Sequence, residues 1–163
     1  MSQDIIEQAH RLMLKAHGQQ TRKTDGSPYI IHPLMVAKKL ARLNFDDKVI
    51  AAAMVHDVLE DTNMSEQKLR QKLGNEVVDI ILPLSEDKSL EWETRKKKYI
   101  EAVKNASPET KAVSIADKIH NLESIIATHK TMGSDIWTKF NRGKKQKMWF
   151  EKELLKVFKN HWS

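Results

Sequence analysis

The chain contains no cysteine, and only five glycines and four prolines among 163 residues. The first absence removes disulfides, a thiolate nucleophile and any zinc–thiolate centre, and fits the reducing cytoplasm expected for this protein. The scarcity of glycine and proline leaves few tight turns for a sandwich or barrel and favours helices. No apolar run approaches the ~20 residues that cross a bilayer, so no membrane partner is expected. The start, Met1-Ser2-Gln3-Asp4, has no basic stretch followed by an apolar one, and no secretory leader is expected.

What is present has globular proportions, 40% hydrophobic and 31% charged residues, well clear of disordered composition. The length suits one domain, residues 1–163, with a sizeable core. A net charge of +6 points to an anionic partner. Much of the excess lies in Arg95-Lys96-Lys97-Lys98 and in the segment from Lys139 to Lys147. Such runs are usually solvated helix faces, and a nucleic-acid reader more often interleaves aromatics with its cations. Trp149 and Phe150 after the second run are only a weak sign in its favour. Nucleic acid is therefore not the expected partner.

Ile5, Ile6, Ala9, Leu12, Met13 and Ala16 follow the helical period and predict a first helix ending near Gly18. A polar loop over 19–28 with Asp-Gly and Ser-Pro turn signals follows, then a helix from Pro33, which leaves His32 at its mouth. Asp46 or Asp47 can cap the next helix, Ser65 opens a short one that stops at Gly74, and Val77 to Leu82 forms another. A charged helix spans Glu91 to Asn105. Ser107-Pro108-Glu109 then opens a helix to about Thr128, and a last helical region runs from Trp137 to His161, with Gly143 as a break. No β-alternation exceeds four residues, and no repeat or linker interrupts the pattern. The expected fold is all-α.

The densest chemistry lies in Ile50-Ala51-Ala52-Ala53-Met54-Val55-His56-Asp57-Val58-Leu59-Glu60-Asp61-Thr62. Read as one helix, it gathers His56, Asp57, Glu60 and Asp61 within roughly 140° of arc and apolar side chains around most of the remainder. No Lys or Arg stands three or four residues from any of the four. Buried charge without a partner is costly, and a divalent cation is the simplest neutraliser. A solvated amphipathic face is the plainer reading, but the apolar run before His56 is too continuous for one.

Three separate helical segments each offer a metal ligand: His32, the His56-Asp57 pair, and Asp117. Two imidazoles and two carboxylates suit a first-row divalent ion with positions left open for water. Without sulfur, manganese, iron or cobalt fits better than structural zinc. Such an ion acidifies water and clamps phosphoryl oxygens, as a phosphoester hydrolase requires. Glu60 and Asp61, one turn past the ligands, are placed to orient or deprotonate attacking water. Arg22 and Lys23, in the loop before His32, suit an anionic substrate. Each has a plainer alternative: His32 as an ordinary helix-start histidine, Asp117 as a partner of Lys118 or Lys111, Arg22 and Lys23 as solvated loop. His10, His17, His120, His129 and His161 read as structural or surface residues.

Thr21-Arg22-Lys23, Gly26-Ser27-Pro28-Tyr29-Ile30-Ile31-His32-Pro33, His56-Asp57-Val58-Leu59-Glu60-Asp61-Thr62 and Ile115-Ala116-Asp117-Lys118-Ile119-His120-Asn121-Leu122 follow one another in that order. Together they resemble the hydrolase domain of the RelA/SpoT proteins, within the HD phosphohydrolase superfamily, and the stand-alone small alarmone hydrolases most of all. The resemblance implies a compact multi-helix HD-domain bundle and a manganese ion (Mn2+) held by His32, His56, Asp57 and Asp117. It implies Glu60 and Asp61 as the catalytic pair that removes the 3′-pyrophosphate of guanosine tetra- or pentaphosphate. Arg22 and Lys23 would hold base or phosphate, and Asn121 would contact the nucleotide. The partner is then a small nucleotide, with a homo-oligomer left open.

The chain departs from the family's usual Val-Thr pattern at Leu84-Ser85-Glu86-Asp87-Lys88, and the run from Asn141 to Lys147 is unusually basic. Both bear on the substrate. Adenosine alarmones, another 3′-phosphorylated nucleotide and the 2′-phosphate of a dinucleotide cofactor such as NADPH stay open as alternatives. A non-catalytic nucleotide-binding module is the alternative from another class, and would need the metal quartet or the Glu60-Asp61 pair to be broken. All six residues are present.

Overall fold

Seven consecutive residues, Val49 to Val55, are buried, and the helix they form is the axis of the molecule. The computed structural model describes residues 4–162; Met1, Ser2, Gln3 and Ser163, part of the expected 1–163 domain and, at the start, of the leader reading, lie outside the described residues. In chain order the helices are α1 (Ile5–His17), α2 (Ile31–Arg42), α3 (Asp47–Val55), α4 (Val58–Asp61), α5 (Glu66–Leu73), α6 (Asn75–Ile81), α7 (Trp92–Lys104), α8 (Pro108–Met132) and α9 (Gly143–Asn160). Short 3-10 turns cover Leu82–Leu84 and Gly133–Lys139. Among the described residues the only β-type pairing is one isolated bridge, Thr21 to Pro28. The fold is all-α, and no helix among these residues is long and apolar enough to cross a membrane.

Helix α3 packs against α1, α2, α6 and α8. Ala51, Ala52 and Ala53 have no exposed surface, and side chains this small let neighbouring backbones approach closely. The ends form where capping side chains stand. Asp4 accepts from the Ile6 amide at 3.0 Å, Asp46 from Lys48 at 2.9 Å, Ser65 from Lys68 at 3.2 Å and Ser107 from Thr110 at 3.2 Å. At 25 residues, α8 is about 37 Å long. It touches α2, α3, α6, α7 and α9, so it crosses the whole assembly.

Several boundaries differ from the sequence reading: α2 starts at Ile31 rather than Pro33, and α8 runs on to Met132 rather than stopping near Thr128. The stretch from Ile50 to Thr62 is not one helix: α3 ends at Val55, His56 and Asp57 form a turn, and α4 begins at Val58. The His56 imidazole sits 2.7 Å from the Ala53 carbonyl, the acceptor a continuing helix would reserve for the Asp57 amide. A side chain competing for that carbonyl breaks the ladder there. The break at Gly143 in the last helical region is present: residues up to Lys139 wind as a 3-10 turn, Gly143 takes φ +67°, and α9 begins there.

Because Ala52 is fully enclosed, Ala52→Leu must overpack α3 and should destabilise the protein by about 1–3 kcal/mol. Urea unfolding of the metal-free protein measures this, and an unchanged midpoint would put that face of α3 at the surface.

Candidate active site and metal centre

His32 is the second residue of α2, and the loop before it is pinned. The Arg22 amide donates to the Ser27 carbonyl and the Tyr29 amide to Gln20, both at 2.8 Å, with Gly26 at φ +74° making the turn. His56 and Asp57 arrive at the break between α3 and α4. Asp117 projects from the middle of α8. These three segments, far apart in sequence, meet at one point.

His32 Nε2 lies 2.9 Å from Asp117 Oδ1 and 3.9 Å from Asp57 Oδ2, while His56 Nε2 lies 3.1 Å from Asp57 Oδ2 and 3.7 Å from Asp117 Oδ1. His32, His56 and Asp57 each present one ligand atom within 4.8 Å of the others. Ligands about 2.1 Å from a shared ion stand about 3–3.5 Å apart, so the spacing fits one cation. The proton inventory fits as well. A carbonyl can only accept, so His56 Nδ1 donates to Ala53 and Nε2 is the atom turned to the carboxylates, carrying a proton in the imidazolium and a lone pair for a cation in the neutral ring. That nitrogen is buried and has no hydrogen-bond partner among the described residues. Nε2 stands 3.1 Å from Asp57 Oδ2, a distance at which a proton or a bound cation supplies the positive charge between them.

The charges in the site express the same demand. Burial alone would push the His56 imidazole down, but Asp57 and Asp117 outweigh it and lift it well above its ordinary value. Burial would raise both carboxylates, yet His56 draws Asp57 down, and Lys118 with His32 draws Asp117 well down. Asp117 pairs with Lys118, one of the two lysines anticipated for it, and also reaches an imidazole. Its Oδ2 takes the Lys118 ammonium at 2.8 Å, and its Oδ1 faces His32 while accepting from Asn121 Nδ2 at 2.7 Å. The Tyr29 hydroxyl donates to Asp57 Oδ2.

Glu60 and Asp61 stand on α4 at the wall of the same cavity, whose volume is about 580 Å³. Burial, then the charges of Asp57 and Glu86, raise the Glu60 carboxyl to about 7. Its Oε2 accepts the Glu86 amide at 3.2 Å. Asp61 pairs with Lys88. Arg22, Lys23 and Asn121 also line this cavity, with Arg22 Nη2 donating to Asn121 Oδ1 at 3.1 Å. All nine residues singled out from the sequence thus border one cavity.

A family model described as HD domain matches residues 9–149. The chain belongs to the HD-domain family. Among curated relatives, it is 35% identical over 130 residues to the guanosine-3′,5′-bis(diphosphate) 3′-pyrophosphohydrolase MESH1 of Xenopus tropicalis, covering 77% of this chain and 73% of that protein. It is 32% identical over 123 residues to an Aquifex aeolicus enzyme named guanosine-3′,5′-bis(diphosphate) 3′-pyrophosphohydrolase, covering 74% of this chain but only 18% of that much longer protein. A solved structure described as a metazoan ortholog of SpoT that hydrolyses ppGpp superposes with a TM-score of 0.81 at 25% identity, over 99% of this chain and 89% of the other. A crystal structure from Listeria monocytogenes EGD-e matches with a TM-score of 0.72 at 37% identity, over 80% of this chain and 82% of the other.

Within this HD domain, four further groups act on the site. Tyr29 and Lys118 hold the carboxylates just described. His120 is buried, with Nδ1 2.7 Å from His32 Nδ1; burial and the facing His32 push it down to about 4. Its position three residues after Asp117 on one helix was a usable signal. Glu86 pairs with Lys96 at 2.6 Å and Arg95 at 3.3 Å while its amide holds Glu60; as a loop residue it carried no periodic signal. A second cavity of about 340 Å³, lined in part by Trp92, Arg95, Lys96, Arg142 and Lys147, shares Arg22, Lys23, Lys118 and Asn121 with the first.

The raised Glu60 carboxyl fixes a pH-dependent cost in the metal-free protein. The group is neutral in both folded and unfolded chains below its ordinary value of 4.5 and ionised in both above about 7. The penalty therefore appears as pH rises between these limits and is complete above them. Glu60→Gln should be more stable than wild type at pH 8 by about 3 kcal/mol, and the gap should vanish near pH 4.5. Parallel urea titrations in chelator test this; a gap that did not depend on pH would refute it.

Proposed function

We propose that this chain is a metal-dependent phosphohydrolase that removes the 3′-pyrophosphate of guanosine tetra- or pentaphosphate, giving GDP or GTP and pyrophosphate, and that a single HD-type domain over residues 1–163 carries the activity. The observation that carries the reading is the convergence of two imidazole nitrogens and two carboxylate oxygens beside the Glu60-Asp61 pair in one cavity. The named relatives support the substrate, and the unbroken set of six residues disfavours a binding module that performs no chemistry.

In this reading His32, His56, Asp57 and Asp117 hold a first-row divalent ion, Mn2+ by preference, since nitrogen and oxygen donors without sulfur suit it. When bound, such an ion acidifies water and offsets phosphoryl charge. Glu60, poised near neutrality, takes the proton of the attacking water, and Asp61, steadied by Lys88, orients it. The phosphorus–oxygen bond to ribose O3′ breaks, a bond to the water oxygen forms, and the proton returns to O3′. Arg22 and Lys23 hold base or phosphate and Asn121 positions the nucleotide. Arg22 Nε, buried and without a hydrogen-bond partner among the described residues, is a donor in need of such a ligand. Arg95, Lys96 and Arg142 in the second cavity give the remaining phosphates a cationic surround.

With Mn2+ supplied, wild-type protein should release pyrophosphate from guanosine tetraphosphate. Glu60→Ala should slow this by about 10²–10⁴-fold, and His56→Ala should abolish it together with metal binding. No turnover by wild type in Mn2+ would sink the guanosine assignment, and release from a 2′-phosphorylated dinucleotide or an adenosine analogue in its place would move the substrate.

A further inference from the structure

Among the described residues, His32 and His120 are the imidazole pair whose Nδ1 atoms face each other, at 2.7 Å. Both rings are buried, 2% and 8% exposed, and their centroids are 5.0 Å apart. Two ring nitrogens at that distance share one proton, so one donates and the other accepts. The direction is fixed by what His32 does on its other side. If Nε2 of His32 faces Asp117 and Asp57 as a metal ligand, its proton must be on Nδ1. His120 Nδ1 must then be the bare acceptor, with the proton of that ring on Nε2.

We propose that His120 is a positioning residue that sets the tautomer and ring orientation of His32 for metal binding, an inference that rests on the metal-centre reading above. The position usually belongs to a carboxylate, a backbone carbonyl or water. A neutral ring supplies the acceptor without adding a third negative charge to a centre that already contains Asp57 and Asp117. The placement is rigid, because α8 carries both Asp117 and, three residues on, His120. A Lys39–Glu123 ion pair at 2.7 Å ties the same two helices together one turn further along. One helix thereby supplies one ligand directly and aims a second.

The test uses Mn2+ alone, titrated into metal-free full-length protein and read as loss of the free-ion electron paramagnetic resonance signal. His120→Ala should weaken binding by about 10–100-fold. His120→Asn should recover most of it, because Asn Oδ1 stands on Cγ where His Nδ1 stands. His120→Gln should not, since its amide oxygen reaches the place of Nε2. Wild-type-like binding by His120→Ala, or equal binding by the Asn and Gln variants, overturns the proposal. Should the Ala variant fail to fold, the Asn–Gln comparison decides alone. Wild type that binds no Mn2+, indistinguishable from His56→Ala, would instead overturn the metal centre and this inference with it.

Discussion

Two carboxylates and two imidazoles meet where α2, the α3–α4 break and α8 converge, and the rest of the site depends on how that charge is balanced. Each carboxylate would be raised by its burial, and each is held down by cations or imidazoles aimed at it. Lys118 balances part of Asp117 from one side and the Tyr29 hydroxyl donates to Asp57 from another. The centre still keeps a buried nitrogen, His56 Nε2, that no protein donor satisfies. Positive charge at that point completes the balance, which is why a set of polar groups this enclosed can be stable at all.

The same constraint divides the acids of the cavity into two roles. Asp57 and Asp117 face imidazoles and a lysine and stay ionised. Glu60 lies a turn further on, with Asp57 and Glu86 nearby, and is raised toward neutrality. Carboxyl groups at positions 57 and 60 are thus driven to opposite protonation preferences, as the proposed division into ligand and proton acceptor requires. Glu86 joins this arrangement to the cationic wall: its carboxylate holds Lys96 and Arg95, and its amide holds Glu60. The HD-domain pocket and the basic cavity beside it are therefore one electrostatic unit.

Much of this was legible in the chain itself. Caps at Asp46, Ser65 and Ser107 stand where helices begin, because a side chain that satisfies an amide two or three residues ahead acts locally. The all-α class followed from the scarcity of glycine and proline together with the helical period. The candidate ligands His32, His56, Asp57 and Asp117 were legible as types of residue on separate segments. The break after Val55 was not, since it rests on a side chain reaching back to Ala53, and periodicity carries no sign of that competition. The segment holding Glu86 and Lys88 stood out as a departure, but their contacts with Glu60 and Asp61 did not, because loop residues have no period to set their direction.

The sequence by itself determined most of the helices, the caps at which several begin, and the inventory of acids, imidazoles and cations, for these depend on neighbours within a turn or two. Only the tertiary structure decided which of them share a proton, a charge or a cavity. His120 shows the difference. Its sequence context marks a polar residue on α8, yet its part in the site comes from an imidazole 88 positions away. Hydrogen bonds and ion pairs form through a few ångströms of space, and only the packing of α2 against α8 brings those atoms within that distance.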